Sequence, residues 1–332
     1  MRRMEALRRI AADRRLDQVL VFDEYDIRSL TGVVCDSACL TLEAIYTDFR
    51  YTAMIRRTAP GLKVRDIRRL KVKGRRIGYE PSISHARFMQ LKAAADKKAV
   101  FTDISGELAA LRMTKTAAEL DGLRAAERLN VEIWNEAKAL FKAGMTEREM
   151  ATVIKRIMIE RGDGEAFETI VCVGANAAEC HHVPDATVWN GREPVLVDMG
   201  VRLGGFCSDL TRNLVPKGVR GLYRKVYALV EEANRAAIAA VKPGMTASKL
   251  DKVARDIIRR GGFGKCFGHS LGHGVGYEIH EAPTVSPRGK TVLRPGMVFT
   301  IEPGIYLEGN LGVRIEDLVV VTEDGCEVLS AG

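Results

Sequence analysis

Four acidic residues and one histidine follow one another through the C-terminal half of the chain, each inside a short apolar or glycine-rich stretch. They are Asp198 in VLVDMG, Asp209 in CSDLTR, His273 in GHSLGHGVG, Glu302 in TIEPG and Glu316 in VRIED. Carboxylate oxygens with one imidazole suit hard divalent ions such as Mn²⁺, whereas a structural zinc site favours cysteine and closes at four ligands. The set therefore predicts a catalytic site for two metal ions.

The acidic residues lie in stretches that predict two β-hairpins. VLVDMG and FCSDLTRNLV flank a Gly204-Gly205 turn, and VFTIEP and GVRIEDLVVV flank a turn at Glu308-Gly309-Asn310. Glu302 and Glu316 are then expected to face each other across paired strands. Burying four carboxylates without cations would cost a large free energy, so we expect bound metal to neutralise them.

Three motifs in fixed order, GHSLGHGVGYEIHE, GMVFTIEPG and GVRIED, resemble those of the pita-bread metallopeptidases, in the branch of aminopeptidase P and prolidase. The resemblance covers essentially the whole chain. Methionine aminopeptidases share the five ligands but usually lack the extra N-terminal domain and the arginine found here as Arg314. The resemblance implies an α/β (α+β) fold, with a creatinase-like mixed α/β domain over residues 1–113 and a pseudo-two-fold pita-bread catalytic domain over residues 114–332.

An internal repeat supports duplication within the second domain. FKAGMTEREMATVIKRIMIERG and VKPGMTASKLDKVARDIIRRGG align at an offset of 100 residues, and candidate ligands follow each copy. Each copy is expected to hold a helix end, a turn whose Thr caps the next helix, and a closing Gly. A long helix is predicted from Leu120 to about Phe141, and the first domain is predicted to hold a helix over 3–15 and strands at QVLVF, IGYEP and AVFTDIS.

The resemblance also implies how the five ligands divide between the ions. Asp198 would bind the first metal, His273 and Glu302 the second, and Asp209 and Glu316 both. A hydroxide bridging the ions would then attack the peptide bond, with Glu302 carrying its proton toward the leaving nitrogen.

Three more histidines lie within the motifs and are expected to be functional. His280 would donate to the scissile carbonyl oxygen, and His181 would contact the proline residue or the leaving group. His269 lies one helical turn's spacing before His273. His181 follows Cys180, where the family usually has proline.

Arg314 precedes Glu316 by two residues on one predicted strand, so both project from the same face. We expect Arg314 to steady the bridging carboxylates. Asp317 points to the opposite face and is not a candidate ligand, and His85 and His182 are interpreted as ordinary histidines.

Composition agrees with a two-domain enzyme, since 332 residues with 46% hydrophobic content can bury a sizeable core. No apolar run approaches the roughly 20 residues that span a bilayer, and the N-terminus lacks a secretory apolar core, so we expect a cytoplasmic protein. Seven cysteines without a CxxC pair favour reduced thiols over a disulfide framework.

The net charge of +8 is uneven along the chain. Residues 1–100 hold 22 Lys and Arg against 12 Asp and Glu, whereas the remaining residues hold 29 against 31. Since the basic residues alternate with acidic and apolar ones and no nucleic-acid motif occurs, we interpret the first domain as a solvated basic surface, with nucleic-acid binding as the alternative.

The resemblance implies a proline-directed peptidase. We expect metal-dependent cleavage of the Xaa-Pro bond at the N-terminus of peptides, with an Xaa-Pro dipeptidase (prolidase) as the alternative and a non-catalytic binding module as a remote one. Two divalent ions are implied, with Mn²⁺ preferred and Co²⁺, Zn²⁺ or Fe²⁺ also compatible. The partners implied are Xaa-Pro peptides and a second copy of the chain in a homodimer.

Overall fold

The computed structural model describes residues 2–331. It divides the chain into two compact units, and the division falls between Arg112 and Met113. Each unit buries its own apolar clusters.

The first unit is mixed α/β, with short strands and helices in alternation. Its helices are α1 (Arg2–Asp13), α2 (Glu24–Thr31), α3 (Phe49–Thr58), α4 (His85–Ala94) and α5 (Ser105–Met113), the last ending at the division. Its strands are β1 (Gln18–Leu20), β2 (Ala38–Leu40), β3 (Ile45–Thr47), β4 (Val64–Asp66), β5 (Arg76–Tyr79) and β6 (Val100–Asp103). Strands β1, β5 and β6 form a parallel sheet, and β2, β3 and β4 form a mixed one.

Helix α1 ends two residues before the predicted boundary. Arg15 adopts a φ of 52°, in the left-handed region that a continuing helix cannot include. The chain then turns directly into strand β1, which begins at Gln18.

The second unit pairs four long helices with two main sheets. The helices are α6 (Ala117–Leu140), α7 (Glu147–Arg161), α8 (Leu222–Ala240) and α9 (Ala247–Arg260). The strands of the first half are β7 (Ile170–Val173), β8 (Val195–Met199), β9 (Arg202–Leu203), β10 (Phe206–Cys207) and β11 (Leu210–Leu214). Those of the second half are β12 (Gly272–Gly274), β13 (Glu281–Val285), β14 (Val298–Ile301), β15 (Gly304–Leu307), β16 (Leu311–Arg314), β17 (Asp317–Val321) and β18 (Cys326–Val328).

The sequence repeat appears as two similar helix pairs, α6 with α7 and α8 with α9, each followed by β structure. Thr146 caps α7 in a reciprocal capping box with Glu149, as the repeat predicts. Thr246 occupies the same place before α9, but the prediction that it caps the helix is wrong. No side-chain cap bond forms there: Lys249 stands where the first copy has Glu149, so a reciprocal capping box cannot form, and the Thr246 hydroxyl lies 3.3 Å from the Ser248 hydroxyl instead.

The helices of each half cover their own sheet. Strands β7, β8 and β11 are antiparallel and lie in the cluster packed by α6 and α7. Strands β13, β12, β14, β17 and β18 form the larger sheet, part of which packs against α8 and α9. Two halves with separate cores therefore supply the surfaces from which the candidate ligands project.

Both predicted hairpins are present. Gly204 and Gly205 have φ of 56° and 73° and close the pair formed by Leu203 and Phe206, a turn in which any other residue would be strained. In the second, β15 and β16 pair from Gly304 opposite Arg314 to Leu307 opposite Leu311.

None of the helices in residues 2–331 is long and apolar enough to cross a membrane. All seven cysteines are free thiols, four of them buried.

Candidate metal centre

All nine candidate residues from the sequence line one pocket of about 450 Å³ in the second unit. They are His181, Asp198, Asp209, His269, His273, His280, Glu302, Arg314 and Glu316. Three of them, Asp209, His273 and Glu316, each place a ligand atom within 4.8 Å of the other two. Residues more than a hundred positions apart in sequence thus share one locus.

The first-half acids are held by the β8–β11 ladder. Asp198 pairs with Thr211, and Asp209 lies immediately before the ladder begins at Leu210. The backbone N–H of Asp209 donates to the carboxylate of Glu127 in α6 at 3.0 Å. The sheet and the helix behind it therefore fix where both acids project.

His273 lies in a three-residue strand between two glycines. A Cβ on Gly272 would stand 1.8 Å from the Thr300 carbonyl oxygen, and one on Gly274 would stand 2.2 Å from that of Ala282. Only glycine fits these positions, so the GHG spacing lets neighbouring strands close tightly on both sides of the histidine.

Glu302 and Glu316 face each other as predicted. Ile301 pairs with Asp317 in one ladder, and Gly304 pairs with Arg314 in the next, so the shared register places the two glutamates opposite each other where the ladders meet. The Thr211 hydroxyl donates to Glu316 at 2.7 Å and ties this point to the first-half sheet.

Burial and mutual repulsion dominate the electrostatics of the acids. Burial, followed by the charge of Glu316, raises the pKa of Asp209 well above its ordinary value. Burial, followed by the charge of Glu302, does the same to the pKa of Glu316. Burial raises the pKa of Glu302 to about 8, against the lowering influence of Arg314.

His273 presents a lone pair to these carboxylates. Its Nδ1 lies 3.2 Å from the Gly274 carbonyl oxygen and donates to it, so Nε2 of the neutral ring faces Glu302 at 3.4 Å and Asp209 at 3.5 Å. Burial lowers the pKa of His273 to about 4. A neutral imidazole facing two carboxylates is an arrangement that a cation would stabilise.

The donor set fits divalent metal. Asp198 Oδ1 is buried and has no hydrogen-bond partner among residues 2–331. Four carboxylates and a neutral imidazole match the preference of hard divalent ions for oxygen ligands with one nitrogen. Asp198, Asp209, His273, Glu302 and Glu316 are thus the residues that could hold two such ions.

Arg314 organises the other side of the pocket. This buried guanidinium donates to Asp198 at 2.6 Å, to the Tyr306 hydroxyl at 2.9 Å and to the Thr211 hydroxyl at 3.1 Å. Burial alone would lower its pKa, but Tyr306, Asp198 and Glu302 hold that pKa well above its ordinary value. Asp317, by contrast, accepts from Arg212 and Ser330 away from the pocket lining.

His269 extends this network. Its Nδ1 lies 2.8 Å from the Ser270 carbonyl oxygen and donates to it, which leaves Nε2 to accept from the Tyr306 hydroxyl at 2.9 Å. Burial lowers its pKa to about 4, so the ring is neutral. Both nitrogens are engaged, and hydrogen bonds connect His269 through Tyr306 to Arg314.

The remaining histidines lie at the open side of the site. The ring of His280 lies 4.4 Å from that of His273, centroid to centroid. His181 is exposed at the pocket edge next to half-buried Cys180, whose carbonyl oxygen lies 3.4 Å from Nη1 of Arg314. Phe167, Ile170 and Ile279 supply apolar wall.

Several residues that support the site went unrecognised in the sequence. Tyr306 lies four residues after Glu302. Glu127 and Asn130 lie within the apolar stripe of α6, and Asn234 lies in that of α8. In the sequence, Glu127, Asn130 and Asn234 could have been recognised as polar side chains within otherwise apolar helical stripes, which are expected to be buried.

A second group also brings metal-ligating atoms within 4.8 Å of one another, namely Glu147, His182 and Asp185. Here the carboxylate of Glu147 accepts hydrogen bonds from backbone amides as well as from His182. His182, interpreted from sequence as ordinary, is a buried member of this group.

Comparison with known proteins matches two family models to the chain. The model of metallopeptidase family M24 covers residues 121–323, and that of the creatinase/prolidase N-terminal domain covers residues 3–114. Together they bear out the predicted fold class.

Three known proteins illustrate the likeness. The chain is 38% identical to a Xaa-Pro dipeptidase of Pyrococcus furiosus over 76% of this chain and 73% of that one. It superposes on a prolidase from Pyrococcus horikoshii with a TM-score of 0.94 and 30% identity, over 100% and 98% of the two chains. It superposes on an X-Pro aminopeptidase from Thermotoga maritima with a TM-score of 0.87 and 31% identity, over 99% of this chain and 98% of that one.

Proposed function

Since the chain belongs to metallopeptidase family M24, we propose that it hydrolyses the bond before proline in Xaa-Pro peptides. The observation that carries the proposal is the single pocket in which four carboxylates, a neutral imidazole and a buried arginine converge. The names of the relatives support the substrate class.

Dipeptides are the first candidate substrate. The sequence alone favoured removal of the first residue from longer peptides, whereas several relatives at 36–42% identity are Xaa-Pro dipeptidases. The aminopeptidase remains the second candidate, supported by the likeness to the Thermotoga maritima enzyme.

The five ligands are proposed to hold two divalent ions, for which the oxygen-rich donor set favours Mn²⁺. When bound, such ions polarise a carbonyl group and lower the pKa of a water molecule toward neutrality. Reconstitution of metal-free protein with Mn²⁺, Co²⁺, Zn²⁺ or Fe²⁺ tests the preference. Higher turnover with another ion would contradict it.

The other residues are proposed to bind the peptide and move a proton. Glu302 takes the proton of the attacking water and delivers it to the leaving nitrogen, a role for which a carboxylate that protonates readily is suited. His280 donates to the scissile carbonyl oxygen as its charge grows, and His181 contacts the proline side. Arg314 holds Asp198 in place, and His269 holds Tyr306 against Arg314.

Turnover of matched peptides tests the proposal. We expect metal-loaded protein to cleave Xaa-Pro and to leave Xaa-Ala intact, and Xaa-Pro-Xaa to be cleaved more slowly than the dipeptide. Glu302→Gln should abolish turnover, while Glu308→Gln, which changes an exposed residue in the turn of the same hairpin, should not. Faster cleavage of Xaa-Pro-Xaa would favour the aminopeptidase, and no cleavage of either peptide would favour a binding module.

A further inference from the structure

One buried carboxylate anchors the whole segment that carries His181. Glu147 is the first residue of α7 and is fully buried. Its Oε1 accepts from the Val173 backbone N–H at 2.7 Å and from the Asn176 amide at 2.9 Å. Its Oε2 accepts from His182 Nε2 at 2.7 Å and from the Asp185 backbone N–H at 3.0 Å. All four donors belong to residues 173–185, here called the His181 segment.

Adjacent histidines in this segment face opposite ways. His181 is exposed and lines the pocket, whereas His182 is buried against Glu147. The second nitrogen of His182 lies 3.2 Å from Glu179. Burial lowers the pKa of His182, but its hydrogen bonds to the two carboxylates outweigh burial and raise that pKa. The hydrogen bonds of His182 to Glu147 and Glu179 therefore fix the backbone immediately after His181, the residue that lines the pocket.

We propose that Glu147, together with His182, is a positioning residue that holds His181 at the proline side of the bound peptide. The inference rests on the proposed function, in which His181 contacts the proline side of the peptide. Displacing such a contact by about 1 Å can cost roughly a hundredfold in rate, so the rigidity of the segment matters to catalysis.

A metal ion is the competing occupant of this cluster. Each carboxylate oxygen of Glu147 already accepts two hydrogen bonds, and two of the four donors are backbone amides that cannot give up their protons. A cation between Glu147, His182 and Asp185 would have to displace these bonds. The geometry therefore favours an anchor over a metal site.

The second half of the unit contains a counterpart built from different residues. Asp251, buried in α9, accepts from Arg255 twice at 2.8 Å and from the Leu271 backbone N–H at 3.2 Å. Arg255 donates in turn to the carbonyl oxygens of Phe267 and His269, both at 2.9 Å. Each half thus uses a buried acid on the second helix of its repeat to hold a segment that brings a histidine to the pocket.

Glu147→Gln tests the anchor, with Glu149→Gln as its matched control. Glutamine keeps the shape of Glu147 but replaces one acceptor oxygen with a donor, so two of the four bonds are lost. Glu149 lies on the same helical turn and is exposed, and its carboxylate accepts from Thr146. In metal-free protein, we expect backbone amides of the His181 segment to exchange hydrogen about tenfold faster or more in Glu147→Gln and unchanged in Glu149→Gln. Unchanged exchange in Glu147→Gln would overturn the proposal.

Activity in two backgrounds separates positioning from general stability. We expect Glu147→Gln to lower kcat/KM by about tenfold or more in the otherwise native protein, and by less than about twofold when His181 is already alanine. An equal loss in both backgrounds would show that Glu147 does not act through His181.

A second variant serves if Glu147→Gln does not fold. His182→Phe keeps a ring in the buried site and removes its donors, and we expect it to loosen the same amides. Unaltered exchange in that variant would contradict the anchor. If the unsubstituted protein cleaves no Xaa-Pro peptide, the proposed function fails, while the exchange measurement still decides whether Glu147 anchors the segment.

Discussion

The guanidinium of Arg314 places Nη2 2.6 Å from Oδ2 of Asp198, and the two side chains are only 4% and 14% exposed. The same guanidinium reaches Tyr306 and Thr211, and Thr211 donates to Glu316. One cation from the second half of the unit therefore orients acids that project from both halves.

Arg314→Lys is expected to be damaging although it keeps the charge. A lysine ammonium cannot reach three acceptors in the planar geometry of a guanidinium. Breaking a buried pair typically costs about 3–5 kcal/mol, so we expect the free energy of unfolding to fall by about 3 kcal/mol and turnover to be lost. Denaturant unfolding and a peptidase assay measure this. Arg235→Lys, at a 71% exposed arginine paired with Glu231, is the control, and equal behaviour of the two variants would contradict the prediction.

Tyr306→Phe is expected to uncouple His269 from Arg314. It removes the hydroxyl that donates to His269 and accepts from Arg314, so His269 Nε2 loses its partner and Arg314 loses one of its acceptors. We expect a loss of about 1–3 kcal/mol in the free energy of unfolding and a lower kcat. Tyr227→Phe, at a half-buried tyrosine on α8, should change neither quantity. Normal kcat in Tyr306→Phe would mean that the His269 network does not support turnover.

Metal-free protein is expected to lose stability as pH rises from about 6.5 to 8. The folded-state pKa of Glu302 is raised to about 8 and those of Asp209 and Glu316 are also raised, so the folded state holds protons that the unfolded state has released. A raised folded pKa gives stability that is lost as pH climbs through it, by about 1.4 kcal/mol per pH unit for each such proton.

Two histidines oppose this loss of stability at lower pH, so the measurement begins at about pH 6.5. His273 and His269 have folded-state pKa values lowered to about 4, so below about 6.5 they make stability rise with pH. His182 and Glu127 also have raised folded-state pKa values and lower the stability of both samples as pH rises through this window. The contribution of the candidate ligands is therefore the difference between metal-free and Mn²⁺-loaded protein in thermal unfolding between pH 6.5 and 8. A decline of equal size in both samples would contradict the assignment of these acids as ligands.

Asn234→Ala is expected to loosen the point where Glu302 and Glu316 meet. The buried Asn234 amide donates to the carbonyl oxygens of Ile301 at 3.0 Å and Ile315 at 3.4 Å, each one residue before a candidate ligand. Leaving these carbonyls unpaired should cost about 1–3 kcal/mol in the free energy of unfolding and weaken metal affinity in calorimetric titration. Asn135→Ala, at an exposed asparagine on α6, is the control, and unchanged affinity in Asn234→Ala would contradict the prediction.

Local patterns in the sequence were enough to predict the two hairpins and the internal repeat. The alternating apolar residues and the Gly-containing turns specify the pairing that places Glu302 opposite Glu316, because turn chemistry and register are set within about twenty residues. The capping box at Thr146 and Glu149 is equally local.

Long-range contacts were the part that the sequence did not reveal. Glu127 supports Asp209 from a helix 82 residues earlier, and no short pattern links the two. His182 was interpreted as ordinary because its partner Glu147 lies 35 residues away. In both cases the decisive fact is which helix packs behind which strand, and that depends on tertiary structure.

The candidate ligands are divided unevenly between the duplicated halves, with Asp198 and Asp209 in the first and His273, Glu302 and Glu316 in the second. Neither copy alone carries the full set of five candidate ligands. Linkage within one polypeptide keeps the complementary donors at high effective concentration, so each copy needs to supply only part of the set. Separating the two copies onto different chains would sacrifice this intramolecular advantage.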